Sequence, residues 1–122
     1  MTTDSIAEIG IDEQERLYLR PATATFPYIY REALDVHWEP SRNHLHSPKP
    51  REWTYFQWFQ HIIDTAALVS FDLHISAATK WTNIPDELRL LMQSWDSSRL
   101  PATTRVAEYR CAAAAKPKTK LP

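Results

Sequence analysis

Four side chains that could bind a metal ion or move a proton lie within residues 37–46, namely His37, Glu39, His44 and His46. Two short strands around a loop at residues 40–43 would pair Glu39 with His44 and His37 with His46. Since strand side chains alternate between faces, all four are expected on one face, opposite Trp38 and Leu45. Neutral imidazoles suit zinc, copper or nickel, and Glu39 could supply an oxygen ligand or activate a bound water. The hairpin therefore allows a divalent metal such as zinc, whereas the rest of the chain predicts no cofactor.

A second interpretation of this hairpin needs no ligand. Histidines on a solvated strand face beside acidic neighbours also occur without any function, and they change charge near about pH 6–7. A loop one residue longer or shorter would shift the register, and the four side chains would then no longer converge. Both interpretations stay open from the sequence.

A smaller candidate lies on the predicted long helix, where His61 precedes Asp64 by three residues. This spacing lets a carboxylate orient an imidazole. No serine or cysteine nucleophile accompanies the pair in the sequence, and Thr54 and Thr65 are neighbours only on the helix surface. The sequence thus favours a surface hydrogen bond over a catalytic dyad, and it identifies no catalytic residue.

Aromatic side chains with a polar atom line ligand pockets and protein interfaces, because they combine a large apolar area with a hydrogen-bonding group. They also fill hydrophobic cores. The candidates for a ligand or interface role are Trp53, Tyr55, Trp58, His61 and Trp81. Trp58 stands at the edge of the apolar arc of its helix, so it is expected to be partly exposed.

The elements that would position these residues follow the order β-β-α-β-β-α-β-α. This order predicts an α+β fold with a mostly antiparallel sheet of about five strands and helices packed on one face. A short helix is predicted from Thr25 to Leu34 and a fifth strand over residues 71–76, followed by a loop that carries Trp81. The last helix is expected to start at Asn83, with Pro85 in its first turn.

The long helix is predicted over residues 51–68. Its apolar residues span an arc of about 180°, whereas a helix that packs on one sheet face needs only about 100°. The arc contains Tyr55, Phe56, Trp58, Phe59, Ile62, Ile63, Ala66 and Ala67. We therefore expect a second element to cover this helix, either another helix or a second subunit. On the last helix, the predicted apolar face consists of Ile84, Leu88, Leu91 and Trp95.

The composition excludes several classes of protein. The single cysteine, Cys111, cannot form an intrachain disulfide or a multi-cysteine zinc site. The single glycine, Gly10, rules out a Walker loop and a dinucleotide-binding turn, both of which need several glycines. No apolar run approaches the ~20 residues of a membrane span, and the N-terminus lacks the pattern of a secretory signal. A cytoplasmic protein with one domain is expected.

Charge divides the chain into two parts. Residues 97–122 carry six basic side chains and one acidic side chain, whereas residues 1–96 carry eight basic and fourteen acidic ones. We expect residues 1–5 to be disordered, residues 6–96 to form an acidic α+β domain, and residues 97–122 to form a flexible basic tail. The tail has few charges and no interleaved aromatics, which argues against nucleic-acid binding.

Three aromatic-rich stretches are similar in composition to segments of other small proteins. They are Phe-Pro-Tyr-Ile-Tyr-Arg-Glu-Ala from Phe26, Val-His-Trp-Glu-Pro from Val36, and Pro-Lys-Pro-Arg-Glu-Trp-Thr-Tyr-Phe-Gln-Trp-Phe from Pro48. In size, aromatic content and basic C-terminus, the chain resembles small single-domain α+β proteins of bacteria, including those carried on mobile integron gene cassettes, and the resemblance covers residues 6–96. The activities of such proteins are mostly unassigned. The resemblance therefore implies no reaction and transfers no site residues.

Two functional hypotheses follow. The first is a non-enzymatic, accessory or immunity-like module that binds a protein partner and could form a homodimer, based on the acidic domain and the wide apolar arc. The second is a small-molecule binder or metal-assisted hydrolase, whose site would join the 37–46 hairpin to aromatics of the long helix. A membrane role is not expected.

Overall fold

The computed structural model describes residues 2–33 and 35–99 of the chain. Its strands are β1 (Thr2–Ile11), β2 (Leu17–Pro21), β3 (His37–Glu39), β4 (His44–His46) and β5 (Phe71–Thr82). Its helices are α1 (Tyr55–Leu68), α2 (Asp86–Ser98) and a short 3-10 helix (Ile29–Arg31). The strands form one sheet in the order β3-β4-β2-β1-β5, in which only β1 and β5 are parallel. The predicted α+β fold is confirmed.

The strand register gives this sheet one apolar face. A row of paired residues crosses all five strands and consists of Trp38, Leu45, Leu19, Ile9 and Trp81. These side chains share one hydrophobic core with Phe59, Ile62 and Ile63 of α1. Because side chains alternate along a strand, the intervening residues lie on the opposite, polar face.

Thr54 determines where α1 begins. Its hydroxyl accepts a hydrogen bond from the backbone N–H of Gln57 (3.1 Å), and the side-chain oxygen of Gln57 accepts one from the backbone N–H of Thr54 (2.8 Å). This capping box satisfies two N–H groups that would otherwise lack partners. The helix therefore starts after Thr54 rather than at the predicted residue 51, and it ends at Leu68 as predicted.

The sheet and α2 cover α1 within one chain. Most of the predicted apolar arc is buried, namely Trp58, Phe59, Ile62, Ile63, Ala66 and Ala67. From α2, the ring of Trp95 packs edge-on against Phe59, with 5.7 Å between the ring centroids. The arc is wide because the sheet and α2 both pack on it. Of the two predicted alternatives, another helix or a second subunit, the structure shows another helix. Trp58, expected to be partly exposed, is instead buried in this core.

The first predicted helix is wrong in extent. Of the segment from Thr25 to Leu34, only Ile29–Arg31 is helical among the described residues, and Leu34 lies outside them. Phe26 and Ile29 are buried, whereas Tyr28 and Tyr30 are exposed. Nucleation of an α-helix costs free energy, and the little apolar surface that this turn buries does not offset that cost. The segment therefore forms only one turn of 3-10 helix.

The last helix buries a different side chain from the one predicted. Leu91 is 51% exposed, and Met92 is fully buried in its place. Met92 lies four residues after Leu88 and three before Trp95, which is the spacing of one helix face. Asn83 does not cap the helix: its φ is +56°, its side-chain amide donates to the Ile11 carbonyl (3.3 Å), and Pro85 is the N-cap residue.

The two ends of the described chain are more ordered than predicted. β1 begins at Thr2, which pairs with Phe71, so residues 2–5 belong to the sheet although disorder was expected for them. Of the predicted tail, Ser97 and Ser98 form the end of α2. Residues 100–122 and the remainder of the tail prediction lie outside the described residues.

β5 is longer than predicted because it contains an irregular insertion. Ile6 pairs with Ile75, but Glu8 pairs with Lys80, so residues 76–79 of β5 stand opposite Ala7 alone. The Thr79 hydroxyl closes this insertion by donating to the Ile6 carbonyl (2.7 Å) and accepting from the Ser76 N–H (2.9 Å). Pairing then resumes, which places Trp81 in a strand rather than in the predicted loop.

The outer edge of β5 is covered by side chains at the end of α2. The Asp96 carboxylate accepts a hydrogen bond from the Ile75 N–H (3.1 Å), and the Arg99 guanidinium donates to the Leu73 carbonyl. Arg99 also contacts Asp72 (3.2 Å) and Asp96 (3.1 Å), and its side chain is only 2% exposed. These contacts occupy backbone groups that an unprotected edge strand would offer to another chain.

Candidate functional site on the polar face of the sheet

The polar face, opposite the helices, carries two rows of side chains that could do chemistry. Strand pairing aligns the first row across the sheet as His37, His46, Tyr18, Gly10 and Thr82. The neighbouring row contains Glu39, His44, Arg20, Glu8 and Lys80. Both rows follow from the alternation of side chains along each strand, which places the core residues between the two rows on the opposite face of the sheet.

The histidine hairpin has the predicted register. Glu39 pairs with His44, and His37 pairs with His46, so the four side chains share the polar face. The rings of His37 and His46 stack with 5.2 Å between centroids, and those of His44 and His46 meet edge-on at 5.8 Å. Glu39 accepts a hydrogen bond from the Ser41 hydroxyl (2.8 Å), which lowers its pKa.

These contacts do not assemble a ready metal site. Within residues 2–33 and 35–99, no group of three or more His, Cys, Asp or Glu side chains is arranged to hold a metal ion. His46 instead donates from Nδ1 to the Ser47 carbonyl (3.0 Å). The zinc site expected at His37, Glu39, His44 and His46 therefore stays a prediction, and the residues present do not fit it without a change in side-chain geometry.

Glu8 is the centre of a second polar cluster on the same face. Its Oε2 accepts hydrogen bonds from the Tyr18 hydroxyl (2.7 Å) and the Thr82 hydroxyl (2.6 Å), and its Oε1 lies 3.4 Å from the Arg20 guanidinium. Burial opposes ionisation, but these donors together keep the pKa of Glu8 below its ordinary value. Burial and the bond to Glu8 raise the pKa of Tyr18. Glu8 is therefore an ionised, partly buried carboxylate at neutral pH.

Gly10 makes the Tyr18–Glu8 contact possible. A β-carbon at this position would lie 2.5 Å from Cζ and 2.7 Å from Cε2 of the Tyr18 ring, which is closer than atoms can approach. The ring therefore lies on the glycine backbone. We did not predict this cluster from the sequence, where Gly10 served only to exclude nucleotide-binding loops. The available signal was a lone glycine inside a strand, which indicates close approach of another group.

Next to these side chains, a cavity of about 420 Å³ opens on the polar face. It is lined by Glu8, Ile11, Asp12, Glu13, Tyr18, Arg20, Arg42, His44, Thr82 and Asn83. The ring of His44 packs on Tyr18 with 4.8 Å between centroids, which connects the histidine hairpin to the Glu8 cluster. His44 is 3% exposed, and burial followed by the charges of His46 and Arg42 lowers its pKa.

The predicted aromatic candidates separate into three places. Trp53, Trp58 and His61 pack against one another, with ring centroids 4.8 to 5.7 Å apart. Tyr55 donates to the Glu15 carbonyl (2.9 Å), and Trp81 lies on the apolar face under the Arg89 guanidinium, 5.0 Å from the ring centre. Among the described residues, Trp58 belongs to the core behind the sheet and the hairpin histidines lie on the polar face, so the two parts of the expected joint site lie on different faces of the sheet.

We predict that the protein loses stability as the pH falls below about 6.5. Burial is the main cause that lowers the pKa values of His44, His46 and His61 in the folded state. The unfolded chain, with ordinary histidine pKa values near 6.5, then binds more protons than the folded chain in this range. The stabilisation is complete above about pH 6.5 and decreases as the pH falls towards the folded pKa values. Urea unfolding measured from about pH 8 to pH 5 checks this trend.

A His44→Gln/His46→Gln variant serves as the control for this prediction. At about pH 8, where imidazoles are neutral in both states, the variant reports only the lost packing. Below this pH its free energy of unfolding should fall less steeply than that of the wild type. Parallel pH profiles of the two proteins would contradict the assignment to these histidines.

A second prediction concerns Gly10→Ala, which should lower the free energy of unfolding by about 1–3 kcal/mol because its methyl group displaces the Tyr18 ring. In a Tyr18→Ser background the ring is absent. There the same change should be neutral or slightly stabilising, since alanine restricts the unfolded chain more than glycine does. Urea unfolding of the four proteins gives the coupling between the two positions. Additive effects would show that the ring does not depend on the glycine.

The fold and this face together define a class: an α+β protein with two helices on one side of a five-stranded sheet and a polar cavity on the other. No helix in the described part of the chain has the length and apolar character needed to cross a membrane.

Comparison with known proteins gives the family. The model of the family Integron Cassette Protein Hfx_Cass5 matches residues 4–79, which is more than half of the chain, and the protein belongs to this family. The predicted resemblance to integron cassette proteins is thus confirmed. A solved structure of Integron Cassette Protein Hfx_Cass5, from the mobile metagenome of North West Arm Sewage Outfall, is 41% identical. The match covers 80% of this chain and 99% of that one, with a TM-score of 0.41. No curated protein matches the chain.

Proposed function

We propose that the protein is a non-enzymatic, cytoplasmic protein-binding module of the accessory or immunity-like kind. One observation carries this proposal: Tyr28, Tyr30 and Arg31 form an exposed patch, which we call the tyrosine patch. Tyr28 is 60% exposed and Tyr30 is 52% exposed. The Arg31 guanidinium lies 4.7 Å from the centre of the Tyr28 ring and 6.0 Å from that of Tyr30.

The composition of the tyrosine patch is that of an interface hot spot. Tyrosine and arginine are enriched among the residues that contribute most of the binding energy between proteins. The 3-10 helix that carries the patch is anchored by Ile29, which is buried in the core. A patch held on a fixed backbone loses less conformational entropy on binding than a mobile loop does.

Charge favours a basic partner. Residues 2–99 contain nine basic and fourteen acidic side chains. A negatively charged domain attracts a positively charged partner and accelerates its association. The acidic residues 2–99 of two copies would repel each other, so we propose a different protein as the partner in preference to a homodimer. Sedimentation equilibrium of the purified protein distinguishes the two, since a stable homodimer would overturn this choice.

Site-specific photo-crosslinking in living cells tests the tyrosine patch. We expect a photoreactive phenylalanine analogue in place of Tyr28 to give a discrete crosslinked product. The same analogue at Ser94, which is exposed on α2, provides the matched control and should not give this product. An Arg31→Ser change beside the analogue should remove the product. Equal products at both positions, or a product insensitive to Arg31→Ser, would contradict the proposal.

A second candidate function, in which the histidine face binds a small molecule or a hydrolytic metal ion, draws only on the placement of four side chains on one face of the hairpin, namely His37, Glu39, His44 and His46. Elemental analysis and zinc and nickel titration of the purified protein test the metal hypothesis. Stoichiometric metal that is lost in a His44→Ala/His46→Ala variant would favour this candidate over protein binding. Metal-free protein without affinity for either ion would remove it.

A further inference from the structure

The outer face of α2 carries an exposed apolar pair. Leu90 is 65% exposed and Leu91 is 51% exposed. At spacings of three and four residues, one helix face joins these leucines to Glu87, Ser94 and Ser98, which are all exposed as well. We call these five residues the leucine face. Single exposed leucines are ordinary, but two adjacent ones form a patch that a binding segment can cover.

The N-terminal end of the leucine face is acidic. Asp86 and Glu87 are exposed in the first turn of α2. Neither side chain makes a hydrogen bond or an ion pair with residues 2–33 or 35–99. The helix dipole favours negative charge at this end, but it leaves both carboxylates accessible to a cation.

The chain continues from the opposite end of the same face. Arg99 follows α2 and is held at the edge of β5 by two carboxylates, so residues 100–122 start from a fixed point. Glu87 precedes Arg99 by twelve residues, which is about 18 Å at the rise of an α-helix. An extended chain covers about 20 Å in six residues, so the segment from Arg105 onward can reach the acidic end of the face.

Residues 100–122 have the charge that complements this face. They contain five basic side chains and one acidic side chain, whereas residues 2–99 contain nine basic and fourteen acidic ones. At the distance along the chain that reaches the leucine face, Arg105 and Arg110 flank the apolar side chains of Val106 and Tyr109. A cationic segment with apolar residues between its charges matches two leucines that lie beside two carboxylates.

We propose that residues 105–110 bind the leucine face of the same chain. Val106 and Tyr109 would contact Leu90 and Leu91, and the two arginines would lie on the acidic first turn of α2. The short connection to the end of α2 gives the segment an effective concentration of roughly millimolar at this face, which favours it over a second copy in dilute solution. The leucine face does not include the tyrosine patch, so this contact goes beyond the protein-binding function proposed above.

Cys111 allows a direct test because it is the single cysteine of the chain. A nitroxide spin label on Cys111 of the ¹⁵N-labelled full-length protein broadens the amide signals of residues that lie near it. If the segment binds the leucine face, the amides of Glu87 and Leu91 should lose more intensity than those of Ser97 and Ser98. A segment that does not bind gives the opposite gradient, because it is attached at the end of α2. The opposite gradient, or a stronger loss on another surface, would overturn the proposal.

A mixture of spin-labelled ¹⁴N protein and unlabelled ¹⁵N protein tests the alternative occupant, which is a second copy. In this mixture the leucine face should lose no intensity. Equal losses in the mixed and the uniform samples would show that the segment binds another molecule, contrary to the proposal.

Leu90→Ser/Leu91→Ser removes the apolar contact, and both positions are exposed, so folding should be retained. The ratio of bound to unbound segment should fall about tenfold or more, since the contact loses the apolar surface of both leucines. The gradient of intensity loss along α2 should then reverse. An unchanged gradient in this variant would overturn the proposal.

Asp86→Asn/Glu87→Gln tests the charge contribution. This variant should bind its segment more weakly than the wild type does at low salt, and the difference should vanish at about 1 M salt, where the Debye length is about 3 Å. Glu32→Gln/Glu52→Gln changes two exposed carboxylates outside α2 and is the matched control, which should match the wild type. Equal effects of the two double variants would contradict the assignment to the first turn of α2.

Discussion

Replacing Arg99 by methionine is expected to lower the free energy of unfolding by about 3–5 kcal/mol, the usual effect of removing one partner from a buried ion pair. Arg99 is almost fully buried, and it lies 3.2 Å from Asp72 and 3.1 Å from Asp96. Methionine fills a similar volume but removes the guanidinium from both carboxylates, which keep their contacts to His74, at 2.8 Å from Asp72 and 3.5 Å from Asp96. It also leaves the Leu73 carbonyl on the edge of β5 without its donor. Urea unfolding measures the loss.

Arg89→Met provides the matched control for this prediction. Arg89 stands on α2, but it is exposed and contacts only the face of the Trp81 ring among the groups described. Exposed cation–π contacts contribute about 0.5–1 kcal/mol, so this variant should remain close to the wild type. Arg99→Met should in addition form oligomers or aggregates at high concentration, because the β5 edge is uncovered. Similar stability of the two variants would show that the cluster around Arg99 is not structurally important.

Phe59→Ala should also lower the free energy of unfolding by about 3–5 kcal/mol, as for other fully buried phenylalanines. Phe59 has no exposed surface, and it packs against Trp95 between α1 and α2. Its removal leaves a cavity at the contact that holds α2 on the domain. We expect the melting temperature and the urea midpoint to fall together, with little change in helix content at low temperature.

Phe56→Ala is the appropriate comparison, since Phe56 also faces Trp95, with 6.5 Å between the ring centroids, but is only half-buried. Burial of the half-exposed Phe56 ring contributes less to the free energy of unfolding than burial of the Phe59 ring does. Water can also enter the space that the Phe56 ring leaves. The loss should therefore be clearly smaller than for Phe59→Ala. Equal losses would indicate that α2 packs on α1 less specifically than the ring contacts imply.

The elements that the sequence predicts best are those with a strong local pattern. The hairpin of residues 37–46 has the expected register because alternation and loop length both act within ten residues. The end of α1 at Leu68 and its buried arc follow from a long helical period. Thr54 and Gln57 also match the capping-box pattern, although the prediction placed the start of the helix earlier.

The parts that the sequence did not predict depend on contacts between distant residues. The register shift between Ile6 and Glu8 changes the alternation of β1, so that Ile6 and Ile9, three residues apart, both reach the core in a way that no local pattern indicates. Glu8 becomes a cluster centre only when Tyr18 and Thr82 arrive from two other strands. The parallel pairing of β1 with β5 likewise cannot be read from either strand alone. Such contacts determine the candidate site, which is why its position was missed.

The position of β1 within the sheet also governs when the protein can fold during synthesis. β1 leaves the ribosome first, but one of its two neighbours, β5, is made last among the described strands, as the pairing of Ile9 with Trp81 illustrates. Until then, one edge of β1 has no strand beside it. Contacts between such distant residues form slowly, and an incomplete sheet exposes an edge that can pair with other chains. The sheet therefore stays incomplete until β5, which ends at Thr82, has emerged from the ribosome.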